Sequence, residues 1–527
     1  MLHFLHLLAD FPNHSTWMDW AKYTDEGWYG DAAIRHYQLG HWYVPGDFNP
    51  AAALPVWPLL EALVFHFTGV SLLAVRALTV AVFAGILVVS WLLLARGPAL
   101  RQRGPAAATA AVLLLVASPF CFVFTRIAIL EPLLVLLTLL ALLVARGARA
   151  QGATLRAALG ENLWTIVALG ALLPALILTK TTAIFLMPAV AWMLFATVGY
   201  RLRPFLRVGL AAAGIGGMLW LSYFVFLVRP HFLLDYRYLF SANAYTGMTR
   251  DNFFQVLTDT VRDGMWVGPV LYPAVLAALA LLAFSSRHLR ETPLLVSLML
   301  WVGGYAAFLA YHNNLQPRYY LVVAVPMTLL LPLVLQKIAW EQLLLPRISS
   351  RPLRAVAILA AAALVLGIVI PDALETIAYV RAPEYTLLHA AQQVMEVIEQ
   401  QQREDPTHNP LILSISGSEI SLMTGLHSID DDFGTLELPD RVKKYHPGWY
   451  VAWNQVDDDK MDALTPEFHL ERVAAFPAMD DPDRNLLIVY RLDPPGQTPH
   501  LHGPGKPTPR PLQTKVGQQP STTQLEH

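Results

Sequence analysis

Ten runs of apolar residues, each close to the roughly 20 that a membrane-crossing helix needs, govern what this chain can fold into. They lie at 70–95, 106–124, 127–145, 162–179, 181–198, 208–228, 265–284, 293–311, 319–336 and 355–371. Charged residues make up 14% of the chain and hydrophobic ones 55%, where an average soluble protein carries about 25% charged. The runs are long and unbroken rather than alternating, so the expected fold is an α-helical polytopic membrane protein with about 10–12 membrane helices. Leu2 to Leu8 form an apolar stub too short to span. We read it as the tail of a first helix that begins upstream, or as a simple cap on the chain. The first residues carry neither a basic n-region nor a small-residue cleavage site, which argues against a secretory signal peptide.

Arginines fix the expected orientation. Arg96, Arg101 and Arg103, then Arg146, Arg149 and Arg156, then Arg201, Arg203 and Arg207, then Arg287 and Arg290, and finally Lys337, Arg347, Arg351 and Arg354 stand in loops separated by pairs of runs. All of these loops therefore fall on one face, expected to be cytoplasmic, in a plasma (inner) membrane. The opposite, periplasmic or extracellular face receives 13–50, the turns near 125–131 and at Lys180, the loops 229–264 and 312–318, and everything after about 372. Residues 51–68 are apolar but interrupted by Pro55 and Pro58, and counting them as a crossing would invert the parity. They read as an interfacial or re-entrant helix on the outer side.

The expected organisation is a transmembrane part over 1–371, an α/β domain outside the membrane over 372–493, and a disordered tail rich in Pro, Gly and Gln over 494–527. Within the middle unit, 384–403 has the pattern of an amphipathic helix, 418–425 that of a second helix, and 411–415, 449–453 and 486–492 those of strands. The single cysteine, Cys121, excludes an internal disulfide and reads as a small core residue. Net charge is −2, and no basic patch points to nucleic acid. A Walker loop, a dinucleotide fingerprint and a Cys/His zinc spacing are all missing. The runs Asp430 to Asp432 and Asp457 to Asp459 lack EF-hand spacing and read as solvated acidic loops.

Candidate chemistry collects on the outer face. Thr24 is placed to cap a helix whose first turn carries Asp25 and Glu26, which also suit the helix dipole. Taken alone, that is an ordinary amphipathic surface helix. Glu131 lies at the start of an apolar run and needs a partner or a water-filled cavity. Arg126, five residues earlier, is accounted for as a snorkelling anchor or as a site cation. Lys180, between two apolar runs, reads as an interfacial turn lysine or a ligand for an anion. Arg318 opens a run beside Tyr319 and Tyr320 and reads as part of an aromatic belt or of the same site. Glu61 is buried against that cavity or lies at the interface. Together, outer-face carboxylates and scattered cations suit a phosphate-bearing lipid and a nucleophile that needs a base.

In order along residues 1–340 stand Asp25-Glu26-x-x-Tyr29, the proline-bearing stretch 50–69, an Arg76-containing run, Arg126…Glu131, Leu178-Thr179-Lys180 and Arg318-Tyr319-Tyr320. This succession resembles the GT-C superfamily of membrane glycosyltransferases, in particular the branch of protein O-mannosyltransferases and the lipid A aminoarabinose transferase. The resemblance implies a GT-C-like fold and inverting transfer of a hexosyl or pentosyl group from a polyprenyl-phosphate donor to a lipid, glycan or protein acceptor outside the membrane. It implies Asp25 as catalytic base, Glu26 as its neighbour and Glu131 as second acid of the cavity. Lys180, Arg318 and Arg126 would hold the donor phosphate, with Tyr29, Tyr319, Tyr320 and Glu61 lining the substrate cavity. No cofactor is required by this chemistry; a divalent metal among Asp25, Glu131 and loop groups is compatible with it, but no ligand pattern demands one. In loop 229–264 the chain departs from the aminoarabinose-transferase pattern, having Tyr236-Arg237-Tyr238 and, further on, Asn243 and Tyr245 where a Glu-His pair and an arginine are expected.

Two other classes fit the composition. A transporter or lipid-sugar flippase would line a route with charges, but predicts repeated halves and charges near the midplane; here the charges gather at one face. A non-catalytic assembly protein predicts that 372–527 matters more than Asp25.

Overall fold

The computed structural model describes residues 2–95, 104–150, 159–242, 248–284, 292–312, 315–337, 350–454, 458–479, 481 and 484–496. Most of the arginine loops, Asn243, Tyr245, Asp457 and the tail from 497 lie outside the described residues.

The chain is mostly helical. Ahead of the membrane part stand α1 (Asp25–Leu39) and α2 (Val56–Thr68), and then come α3 (Leu72–Ala95), α4 (Gly104–Ala117), α5 (Pro119–Phe124) and α6 (Leu130–Ala145). They are followed by α7 (Leu163–Thr179), α8 (Met187–Thr197), α9 (Leu202–Tyr223), α10 (Leu233–Ala242), α11 (Phe253–Asp263) and α12 (Leu271–Phe284). The bundle closes with α13 (Pro293–His312), α14 (Leu321–Lys337) and α15 (Ser350–Arg381). Every one of the ten apolar runs coincides with a helix. Among the described residues, five helices are long and apolar enough to cross a membrane, six if the pair bent by 113° at Val267/Leu271 is one span, and several shorter apolar helices pack among them. The chain is a multi-pass membrane protein.

Local chemistry explains where the helices depart from the expected bounds. The run 106–124 breaks at Ser118, whose hydroxyl accepts from the Cys121 amide, with Pro119 at the first position of α5. Beyond Tyr223 the chain continues as a π-helix, Phe224–Phe232, where Pro230 cannot donate, and passes straight into α10. The last span runs past 371 to Arg381 despite Pro371. At the arginine-bearing end, Arg146 donates to the Leu93 carbonyl at 2.7 Å, so the C-terminal ends of α3 and α6 sit together. α14 is buried almost throughout and forms the centre of the main core, with Leu115, Phe120, Leu139, Trp301 and Tyr305 around it.

After α15, α16 (Thr386–Glu404) leads into a five-stranded sheet of β1 (Ile412–Leu413), β2 (Ser428–Ile429), β3 (Trp449–Trp453), β4 (His469–Pro477) and β5 (Leu486–Asp493). The order is β2-β1-β3-β5-β4, with β1 parallel to β2 and β3, and β5 antiparallel to β3 and β4. β3 is buried on both faces. Trp449 and Val451 pack on Leu387, Val394 and Ile398 of α16, while Tyr450 and Ala452 pack with Val442 of α18 (Leu438–Tyr445) and Leu464 of α19 (Asp458–Leu464). Expected strands at 411–415, 449–453 and 486–492 are present; β2 and β4 were not foreseen.

What positions the candidate site is the docking of α1 onto α17 (Gly417–Thr424). Glu419 Oε2 accepts from the Gly27 amide at 2.7 Å, closing an open donor in the first turn of α1. Ser418 donates to Asp31 at 2.7 Å, and the Trp28 indole donates to the Ile415 carbonyl at 3.0 Å. A Cβ at Gly27 would lie 2.1 Å from the Glu419 backbone nitrogen, so this contact requires glycine; at Gly30 a Cβ would meet only the end of the Glu61 side chain, at 2.2 Å from Oε2. Downstream, Asp47 pairs with Arg35 of α1 (2.5 Å) and reaches the C-terminal unit through Arg441 (3.4 Å) and the Asp430 amide (3.0 Å).

Candidate functional site

Where α1, α6, α7 and α14 meet, five buried charges converge: Asp19, Asp25, Glu131, Lys180 and Arg318. The chain delivers each from an element end. Asp25 is the first residue of α1, Glu131 stands in the first turn of α6, Lys180 directly follows α7, and Arg318 lies in the 3-10 turn Pro317–Tyr320 that opens α14. Helix ends at one level of a bundle bring polar groups together without burying them in mid-span.

Arg318 is the hub. Its Nε lies 3.0 Å from Asp25 Oδ2, its Nη1 pairs with Asp19 Oδ1, and its backbone amide donates to Asp19 Oδ2 at 2.8 Å. Lys180 pairs with Glu131 Oε1, and the other Glu131 oxygen has no hydrogen-bond partner among the described residues. Tyr319 lies between the two cations, with Lys180 Nζ at 4.3 Å and Arg318 Cζ at 4.7 Å from its ring centre. Tyr29, one turn after Asp25, borders the same charges. Buried charges persist only when paired, and this arrangement supplies the pairing. Burial, with the Asp19 and Glu131 carboxylates adding to it against Arg318, pushes the Asp25 carboxyl up to about 6.

Other expected site residues stand elsewhere. Both oxygens of Glu26 are engaged: Arg76 approaches them at 2.8 and 2.5 Å, and the Ala128 amide donates at 2.8 Å. Arg76 also donates to the carbonyls of Leu7 and Ala9. Glu26 thus ties the first turn of α1 to α3 and to the turn ahead of α6, held by three hydrogen bonds, two of them from Arg76. Arg126 is away from the cluster. It donates to the Leu5 and His6 carbonyls at 2.5 and 2.7 Å and covers the Phe122 ring, as an anchor does. Tyr320 turns from the cluster, donating to the Thr260 carbonyl at 3.0 Å and packing against Trp266. Glu61 is buried beneath Gly30, between α1 and α2, rather than at the interface. Thr24 makes no side-chain cap; its hydroxyl lies within reach of the Trp20 carbonyl at 3.1 Å and of Asp25 at 3.2 Å and donates to one of them.

Asp19 escaped the sequence reading. An acid six residues before Asp25 in a polar segment carries no spacing signal, and its partner is far along the chain. Among the described residues no group of three or more His, Cys, Asp or Glu side chains is gathered as a metal ligand set.

An apolar groove of about 430 Å³ runs beside the cluster. Leu173, Pro174 and Ile177 of α7 form one wall, Gly216 and Trp220 of α9 another, and Thr181, next in sequence to Lys180, lies at its lining. Gly216 widens it where a side chain would fill the space between α9 and α7.

Among solved structures, the chain is similar to ArnT of Cupriavidus metallidurans, a lipid A aminoarabinose transferase, in the apo state, with a TM-score of 0.55 and 15% identity over 93% of this chain and 95% of that one. It is similar to the same protein bound to undecaprenyl phosphate, with a TM-score of 0.54 and 14% identity over 88% and 93% of the two chains. A third similarity is to the Archaeoglobus fulgidus oligosaccharyltransferase tethered to an acceptor peptide containing the NVT sequon, with a TM-score of 0.51 and 13% identity over 86% of this chain and 67% of that one. No protein-family model and no curated protein sequence matches the chain. At these identities the likeness is one of fold: the chain has the GT-C architecture, a polytopic helical bundle with a small C-terminal α/β unit.

Proposed function

We propose that this protein is a glycosyltransferase that moves a sugar from a polyprenyl-phosphate donor to an acceptor at the membrane surface, on the non-cytoplasmic side of the plasma membrane. One observation carries the reading. A buried carboxylate, Asp25, faces two cations, Lys180 and Arg318, beside an apolar groove that suits a prenyl chain. The similar ArnT structure with undecaprenyl phosphate supports this choice of donor, and the arginine loops on the opposite face support the sidedness.

The acceptor's nucleophile attacks the anomeric carbon while its proton passes to the Asp25 carboxylate. The bond from that carbon to the phosphate oxygen breaks on the far side, inverting the centre, and the phosphate leaves with the electron pair. Because a phosphate is stable as an anion, no general acid is needed; Lys180 and Arg318 compensate the developing charge. In the present structure both cations are held by carboxylates, so an arriving phosphate exchanges places with them. As Arg318 turns to the phosphate, its hold on Asp25 weakens and the carboxylate becomes a stronger base. The unpartnered Glu131 oxygen is placed to accept from a sugar or acceptor hydroxyl.

The test is transfer from a panel of polyprenyl-phosphate sugars in membranes that contain the full chain, with a mixed envelope extract as acceptor. Donor-dependent release of sugar and of polyprenyl phosphate supports the reading; no release from any donor by folded protein refutes it.

A further inference from the structure

A second cavity, of about 650 Å³, lies between the segment that leads into α1 and the C-terminal sheet, and its chemistry is unlike that of the lipid groove. Trp20, Tyr23 and Trp28 contribute rings from one side, and Tyr450 and Trp453 of β3 contribute from the other. Two of these rings are fixed by hydrogen bonds: Trp28 to the Ile415 carbonyl at 3.0 Å, and Trp453 to Ser416 at 2.8 Å. Polar groups of several kinds share the lining. Asp431 is held by the Tyr450 hydroxyl at 2.9 Å and by Lys460 at 3.0 Å. Asp432, half exposed, lies 3.8 Å from the same lysine, and Arg484 lies over the Tyr23 ring at 4.3 Å. The Tyr23 hydroxyl, in the wall of this cavity and on a residue only 2% exposed, has no hydrogen-bond partner among the described residues.

We propose that this cavity binds a neutral sugar ring. A pyranose has an apolar face of C–H groups that packs on aromatic rings and a rim of hydroxyls that both donate and accept. The cavity offers that combination: flat aromatic surfaces, two carboxylates to accept, and an ammonium and a guanidinium to donate. Two acids balance two bases, so the lining does not select an anion such as a bare phosphate. Its size falls among sites for single small ligands, which are about 300–1,000 Å³. Thr24 lines the cavity, and its hydroxyl lies 3.2 Å from Asp25 Oδ1, so one side chain separates the cavity from that carboxylate. The inference rests on the glycosyltransferase reading only in making that ring part of a substrate; the binding site itself stands on the cavity.

The full chain in lipid nanodiscs is titrated with methyl glycosides of mannose, glucose, galactose, N-acetylglucosamine and arabinose, read by saturation-transfer NMR. Trp20 and Asp432 are exposed enough to be replaced without unfolding the sheet. We expect at least one glycoside to bind, and Trp20→Ala and Asp432→Ala each to weaken it about tenfold or more, a change of about 1.4 kcal/mol, while polyprenyl phosphate binding is unchanged. In the transfer assay, a raised acceptor KM with an unchanged donor KM in these variants assigns the ring to the acceptor; the reverse assigns it to the donor. No binding of any glycoside, or equal binding by both variants, overturns the proposal. Sugar binding with no transfer from any donor rejects the reaction and retains the subsite.

Discussion

Arg318 Nε lies 3.0 Å from Asp25 Oδ2, so the residue assigned to the donor phosphate is already bound to the residue assigned to the acceptor's proton. In the proposed reaction this one contact couples donor binding to the acceptor's base. The carboxylate is held in its place, and partly quenched, until an anion draws the guanidinium away.

The pH dependence of kcat/KM follows from that coupling. Burial raises the Asp25 carboxyl of the free protein to about 6 and Arg318 opposes the rise. Because the base must be ionised, kcat/KM increases with pH through about 6 and is flat above it. Replacing Arg318 with Gln removes the opposing cation, so the acid limb moves to higher pH. A limb that stays in place in Arg318→Gln contradicts the coupling.

Lys180 and Glu131 form a pair whose members cannot be tested one at a time, because either alone leaves an uncompensated buried charge. The double variant Lys180→Met/Glu131→Gln removes both charges at similar volume. Loss of one charge-assisted contact of about 1.5–3 kcal/mol predicts a donor KM raised about 10- to 100-fold. An unchanged donor KM would remove Lys180 from the phosphate site.

Glu26 and Asp25 are neighbours with opposite expected phenotypes. Glu26→Ala leaves Arg76 buried and unpaired, and should destabilise the fold by about 3–5 kcal/mol, seen as a lower Tm in detergent. Asp25→Asn should leave Tm nearly unchanged, because an amide fits the same space. Equal Tm losses in the two variants would undo the division between positioning and catalytic roles.

Gly27→Ala tests the docking of α1 on α17. The added methyl would lie 2.1 Å from a backbone nitrogen that cannot move aside cheaply. Overpacking of this kind costs about 1–3 kcal/mol, and it displaces Asp25 along with its helix. Transfer should fall while donor affinity holds, since Lys180 and Arg318 are not on α1. Gly214→Ala, with open space around it, serves as the comparison.

Much of this arrangement was legible in the chain itself. Apolar runs located the helices of the bundle, each run falling on a helix, although only five or six of the described helices are long and apolar enough to cross a membrane. Glu131 stood out because a carboxylate in an apolar run needs a partner; Asp25, Lys180 and Arg318 stood out through their shared face and the order of the motifs. Their pairings did not: Arg318 pairs with Asp19 and Asp25 from far along the sequence, and no local pattern encodes a partner at that separation. Glu26 was expected beside Asp25 in the site, but Arg76, buried in α3, pairs with it. Tyr320 belonged to the same belt as Tyr319, but adjacent residues of a 3-10 turn point in different directions. β4 was hidden because most of it is only half buried, with charged residues set into its apolar pattern, and β2 because two residues are too few to show a period.

The most direct measurement is transfer by Asp25→Asn, using the wild-type donor at saturation and verifying fold and polyprenyl phosphate binding in the same preparation. Loss of a general base predicts kcat lower by about 10²–10⁴-fold with Tm and lipid-phosphate affinity retained. Turnover within about twofold of wild type would contradict the assignment of Asp25, and with it the account of how this site works.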